Sequence, residues 1–217
     1  MNIEIWSDYS CPFCYIGKVT LDQALESLGL TDKVNIIYKA YQLDPHAPKI
    51  ATSTAVDSLA MKYQVTKQDA QAMLDSVSLK AKTLGLQFNY DILQATSTLE
   101  AHRLTRLVPN PIQAQLNLSL YKAYFTQGLN LADTATLIKL SHDLGVDALE
   151  VEQQLNSNQG LKEVLEELQQ AKQLGIKGVP YYRINQHTVI NGAQPLQSFI
   201  EILKEAYLKE VQKYNRE

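Results

Sequence analysis

The chain has 217 residues, enough for one core or for one domain with a sizeable insertion, and its 45% hydrophobic content is ordinary for a globular protein. A net charge of −3 leaves no basic footprint for nucleic acid, and no window approaches the apolar length of a membrane span. The N-terminus, Met1 to Asp8, has no basic region and no cleavable apolar core, so a cytoplasmic protein is predicted.

Asn2 to Ser7 carry Ile3, Ile5 and Trp6 and read as a buried first strand. Asp8, Tyr9 and Ser10 make a short loop. Pro12 suits the first turn of a helix, where its missing N–H costs nothing. That helix runs through Ile16, Val19, Leu21, Leu25 and Leu28 and closes at Gly29. Val34 to Tyr41 is rich in β-formers and makes the second strand, so a right-handed parallel crossover is predicted. From about residue 53 to 175 the apolar residues follow helical spacing instead: Leu59, Met61 and Tyr63; Ala72, Met73, Val77 and Leu84; Leu116, Leu120 and Tyr124. Glycines and prolines punctuate this segment, and Asp133 and Asp147 are predicted N-caps. Strand signals return at Tyr181 to Ile184 and at Thr188 to Ile190, an antiparallel hairpin. Pro195 opens a last amphipathic helix through Phe199, Ile202, Leu203, Tyr207 and Val211, and the polar end 213–217 is predicted to fray. The order is β-α-β, a helical block, then β-β-α. Residues 1–48 and 176–217 are thus predicted to form an α/β domain of thioredoxin-like fold, with 49–175 as an all-helical insertion.

The two cysteines of the chain stand together, Cys11-Pro12-Phe13-Cys14, where the first strand hands over to the first helix. In a reducing compartment such a pair points to redox chemistry or metal binding rather than to a structural staple. A zinc site would need a second tightly spaced ligand pair, and His46, His102, His142 and His187 are scattered. No metal is predicted.

The segment Ser7-Asp8-Tyr9-Ser10-Cys11-Pro12-Phe13-Cys14-Tyr15-Ile16-Gly17 resembles the active-site segment of the DsbA-like thiol–disulfide oxidoreductases, nearest their cytosolic FrnE-like branch. Ala101-His102-Arg103-Leu104, Gly178-Val179-Pro180 and Asn191-Gly192-Ala193-Gln194-Pro195 agree in order along the chain. The resemblance implies a thioredoxin fold in which a cis Pro180 lies against the cysteines and leaves the Val179 backbone open to an extended substrate.

The expected chemistry is thiol–disulfide exchange. Cys11, at a helix N-terminus, is expected to be an exposed nucleophile with a lowered pKa, and Cys14 the more buried resolving thiol. Pro12, Phe13, Val179 and Pro180 are the expected substrate-contacting residues. Asp8, Tyr9 and His102 are expected to shape the site. No cofactor is expected beyond the cysteine pair, with glutathione as a candidate co-substrate. The expected partners are protein or small-molecule thiols and disulfides, with the chain a monomer or homodimer.

Two other readings compete. The 2-hydroxychromene-2-carboxylate isomerases and kappa-type glutathione transferases share the scaffold but characteristically use one serine or cysteine, whereas this chain has a pair. A non-enzymatic reading makes the helical insertion a client-binding groove switched by the cysteines.

Overall fold

The computed structural model describes residues 1–214. Four strands, β1 (Asn2–Ser7), β2 (Asn35–Ala40), β3 (Tyr181–Ile184) and β4 (Thr188–Asn191), form one sheet in the order β2-β1-β3-β4. β1 and β2 are parallel, with Ile5 opposite Tyr38; β3 runs antiparallel to both β1 and β4. The parallel pair is joined by the helix α1 (Pro12–Ser27). This helix has Cys11 as its N-cap and Pro12 in its first turn, and the chain leaves it through Gly29 at φ +61°.

The period-2 alternation of β1 separates two faces. Ile3 and Ile5 point into the main core, where Tyr38, Tyr182, Ile184 and Ile190 of the sheet meet Leu21, Ala24 and Leu25 of α1. Phe199, Leu203 and Ala206 of α9 (Leu196–Tyr214) complete it. On the other face Trp6 is fully buried with Ala171 and Ile176, its ring edge-on to Tyr181 and 5.3 Å beneath the Arg183 guanidinium. Arg183 also pairs with Glu4 at 2.6 Å. The last helix departs from the predicted stripe in one respect. Val211 is exposed and Ala206 takes an inward position. Of the predicted frayed end, Lys213 and Tyr214 are still helical backbone, and 215–217 lie outside the described residues.

The chain divides into two compact units, one of residues 1–41 and 170–217, the other of residues 42–169. The second unit is helical: α2 (Ala55–Tyr63), α3 (Lys67–Lys82), α4 (Leu99–Leu107), α5 (Asn110–Phe125), α6 (Thr134–His142), α7 (Ala148–Asn156) and α8 (Leu161–Gln173), the last of which counts with the first unit from Gln170 on. Helices start where side-chain oxygens can accept the orphan N–H groups. Thr54 and Thr66 accept from Asp57 and Asp69 at 3.1 Å each. Asp133 accepts from Thr136 at 2.9 Å, and Asp147 from Glu150 at 2.8 Å.

The buried stripe of α3 is Ala70, Leu74 and Ala81, not the Ala72/Met73/Val77/Leu84 set read from spacing. Met61 and Tyr63 of α2 are likewise exposed. Both helices are amphipathic enough for two faces to fit the periodicity, and packing selects one. Among the described residues no helix is long and apolar enough to cross a membrane.

Candidate active site

The site forms where β1 ends and α1 begins. Pro12 at the first helical position presets the backbone, so the helix opens on Cys11 and turns once before Cys14. The Cys11 carbonyl accepts the N–H groups of Cys14 at 3.1 Å and Tyr15 at 3.4 Å. The Cys11 side chain makes no capping bond, and the first turn holds no acidic residue to compete for the positive helix end.

Both cysteines are free thiols. Cys11 is 4% exposed and Cys14 2%, so the expected contrast between an exposed and a buried sulfur is corrected. Cys11 is covered because a segment 168 positions away closes on it: its thiol donates to the Val179 carbonyl at 3.6 Å. Nothing in local spacing could show that contact. The Val179–Pro180 peptide bond is cis.

Cys14 is pushed well above the ordinary thiol range, first by burial, then by its hydrogen bond with Cys11 and by charge on that neighbour. The backbone N–H of Asp8 pulls in the opposite direction, while the Asp8 charge adds to the rise. Asp8 is 1% exposed. Its carboxylate accepts from the Ser10 N–H at 3.2 Å and from the Ser10 hydroxyl at 3.0 Å, which holds the loop before Cys11. Tyr9 is buried as well, so this is not a solvated polar turn.

Phe13, between the cysteines, is 40% exposed and presents an apolar surface beside the thiols. Cys11, Cys14, Pro12, Phe13, Asp8, Tyr9, Val179 and Pro180 all belong to the first compact unit. His102 belongs to the second, buried in α4 with its Ala101-Arg103-Leu104 neighbours. Its neighbour Arg103 is the structural residue of that motif. The guanidinium donates to the Ser157 carbonyl at 2.6 Å and to the Gln159 carbonyl at 3.0 Å, and pairs with Glu100 at 2.5 Å. His46, His142 and His187 are exposed.

Three residues close to the cysteines escape a sequence reading. Lys18, one turn past Cys14, is only 5% exposed and pairs with Asp22 at 2.6 Å. Gly17 leaves room against α1 for the Tyr182 hydroxyl, which a methyl group at that position would overlap. The available signal was a glycine inside an otherwise regular helix, which costs about 1 kcal/mol against alanine and asks for a packing reason.

Comparison with known proteins places this geometry. The DSBA-like thioredoxin domain matches residues 2–204. The probable DsbA oxidoreductase SCO1869 from Streptomyces coelicolor is 30% identical, with 95% of this chain and 90% of that chain covered and a TM-score of 0.88. Two further structures share the fold at low identity. The 2-hydroxychromene-2-carboxylate isomerase is 16% identical with a TM-score of 0.67, over 100% of this chain and 98% of that one. The cytosolic disulfide reductase DsbM from Pseudomonas aeruginosa, with GSH, is 13% identical with a TM-score of 0.62, over 99% of this chain and 100% of that one. On the match across nearly its whole length, the chain belongs to the DSBA-like thioredoxin domain family.

Proposed function

We propose that this protein is a cytoplasmic thiol–disulfide oxidoreductase of the FrnE-like branch, working through Cys11 and Cys14. The observation that carries the reading is the thiol pair itself: two free cysteines one helical turn apart at the N-terminus of α1, sharing a hydrogen bond. Cys11 is the sulfur that meets the partner. The positive end of α1 favours an anion there, and its thiol leaves the Val179 carbonyl when it ionises. The Cys11 thiolate attacks a partner disulfide; one S–S bond breaks, a mixed disulfide forms, and the first partner sulfur leaves as a thiolate. Cys14 then attacks Cys11, the internal disulfide closes, and the second partner sulfur leaves. Two electrons have passed to the partner, and the reverse sequence oxidises a dithiol.

Pro12, Phe13, Val179 and Pro180 frame the approach to Cys11. The exposed Phe13 ring offers apolar contact, and the Val179 backbone offers strand-like pairing to an extended substrate. Asp8 and Tyr9 shape the buried side of the loop, and His102 is the third candidate for shaping the site. The protein works without a cofactor other than its own cysteine pair. Its substrates are protein or small-molecule thiols, glutathione among them, a class supported by the GSH in the DsbM structure. The isomerase scaffold is also present, but a single activating group suffices for that chemistry, and the resolving Cys14 favours redox cycling.

The test is trapping. Cys14→Ser protein, purified after exposure to oxidised glutathione or to cell thiols, is expected to carry a mixed disulfide on Cys11, read by mass spectrometry with and without reductant. Wild type is expected to carry the internal disulfide instead. A folded Cys14→Ser protein that acquires no adduct overturns the reading.

A further inference from the structure

Tyr182 is the second residue after Pro180, fully buried, its ring edge-on to Phe199 at 5.1 Å. Its hydroxyl has no hydrogen-bond partner among the described residues. A buried hydroxyl without a partner is unfavourable, and phenylalanine would bury the same ring without that cost. The hydroxyl occupies the slot that Gly17 opens in α1: a methyl group on residue 17 would overlap it and would come within 3.1 Å of Pro180 Cγ. Glycine inside a helix is itself unfavourable. Two costly choices therefore meet at one point, and that point is one helical turn from Cys14. Residues three apart on a helix share a face, with Cβ positions about 5–6 Å apart.

We propose that Tyr182 is a catalytic hydrogen-bond donor to the Cys14 sulfur, engaged when that sulfur becomes anionic to attack the mixed disulfide. The proposal rests on the reading of Cys11 and Cys14 as an exchanging pair. In the resolving step the Cys14 thiol loses its proton and its sulfur attacks Cys11. The Cys11–Cys14 bond forms, the Cys11–partner bond breaks, and the electron pair leaves on the partner sulfur, which takes up a proton in place of the one Cys14 lost. A neutral thiol is a weak acceptor and does not require the donor; the thiolate does.

The surroundings suit a donor rather than a base. Burial, then charge on Cys14 and Cys11, pushes the Tyr182 phenol well above its ordinary range, which favours the protonated, donating form. The other groups around it are accounted for. From α1 come Lys18 and Asp22, paired with each other. From β2 comes Tyr38, whose buried hydroxyl also has no partner but which responds to Asp22 and Tyr9 rather than to the sulfurs. The loop before Cys11 brings Asp8, and α9 brings the apolar Phe199, Leu203 and Ala206, with the half-buried Tyr207 as its one phenol, among the described residues, packed against this core.

The experiment follows the Cys14 β-carbon by NMR against pH in Cys11→Ser protein, with and without Tyr182→Phe. Loss of the hydroxyl is expected to move the Cys14 midpoint upward, and in the dithiol protein to slow release of a glutathione mixed disulfide roughly tenfold to a hundredfold. Adduct formation on Cys11 in Cys14→Ser protein is expected to be unchanged. Gly17→Ala, which keeps the hydroxyl but fills its slot, is expected to shift the Cys14 midpoint the same way. In Cys11→Ser protein with Tyr182 intact, the Tyr182 ζ-carbon resonance is expected to move with the Cys14 titration, a readout that does not depend on the Phe variant folding. A Cys14 midpoint indifferent to Tyr182→Phe, or a ζ-carbon that ignores the titration, overturns the proposal. These titrations are readable whether or not any partner exchanges with the pair, so their failure is separate from failure of the redox reading.

Discussion

Asp8 and Phe13, on either side of Cys11, act on the thiols by different physical routes, and each can be moved separately. Asp8 raises the Cys14 thiol through its charge while its N–H lowers it. Asp8→Asn removes the charge and leaves the backbone donor, so the Cys14 midpoint is expected to fall, as read by cysteine NMR in Cys11→Ser protein. A rise would mean that the lost Ser10 bonds, rather than the charge, dominate. Phe13 cannot place a charge beside the sulfurs. Phe13→His adds a cation near the helix end below its own pKa, which favours the thiolate and so the reduced form. The reduction potential is expected to rise by roughly 5–20 mV, from about 0.3–1 kcal/mol for a charge at a helix terminus. Equilibration against glutathione buffers measures it.

At the scale of elements, caps and one buried arginine set the helical unit. Asp133→Ala and Asp147→Ala are each expected to cost about 1 kcal/mol in urea denaturation, and Asp133→Asn much less. The Thr136 hydroxyl and then its N–H hold the Asp133 carboxyl below the usual aspartate range. A lowered folded pKa gives stability that is present above the unfolded value and lost as pH falls toward the folded one. The stability gap between wild type and Asp133→Asn is therefore expected to shrink below about pH 4. Arg103 binds carbonyls of the α7–α8 connection and the Glu100 carboxylate from a nearly buried position. Arg103→Ala strands those acceptors and is expected to cost about 3–5 kcal/mol, as for other broken buried pairs. Within the Ala101-His102-Arg103-Leu104 stretch, Arg103 therefore has a packing role of its own.

At the scale of the molecule, the buried titratable groups make stability depend on pH on the alkaline side. Cys14, Tyr38 and Tyr182 are all raised, each chiefly by burial. A raised folded pKa gives stability that is complete below the unfolded value and lost as pH climbs past it, because the unfolded chain releases protons that the folded chain retains. The denaturant midpoint of the reduced protein is expected to fall from about pH 8.5 upward and again above about pH 10. The first decline is expected to vanish in the oxidised protein, which has no Cys14 thiol to titrate. A midpoint flat to pH 10 in the reduced protein would contradict the burial of these groups.

Local chemistry made much of this protein legible before any coordinates. The period of Ile3 and Ile5, the Pro12 start and the Gly29 stop of α1, the caps at Asp133 and Asp147 and the β3–β4 hairpin are all short-range signals, and the structure carries each. So is the Cys-x-x-Cys pair, since a helical turn alone brings residues 11 and 14 together. What the chain order could not state is which distant groups meet. The family resemblance placed Pro180 against the cysteines but left the Val179 backbone open, whereas its carbonyl takes the Cys11 thiol; the Tyr182 hydroxyl settles against Gly17, and α3 buries Ala70 and Leu74 rather than Met73. Hydrophobic period and helix caps act within a turn or two of chain. Burial, and the pKa shifts and contacts that follow from it, depends on atoms far apart in sequence, so only the tertiary structure could decide it.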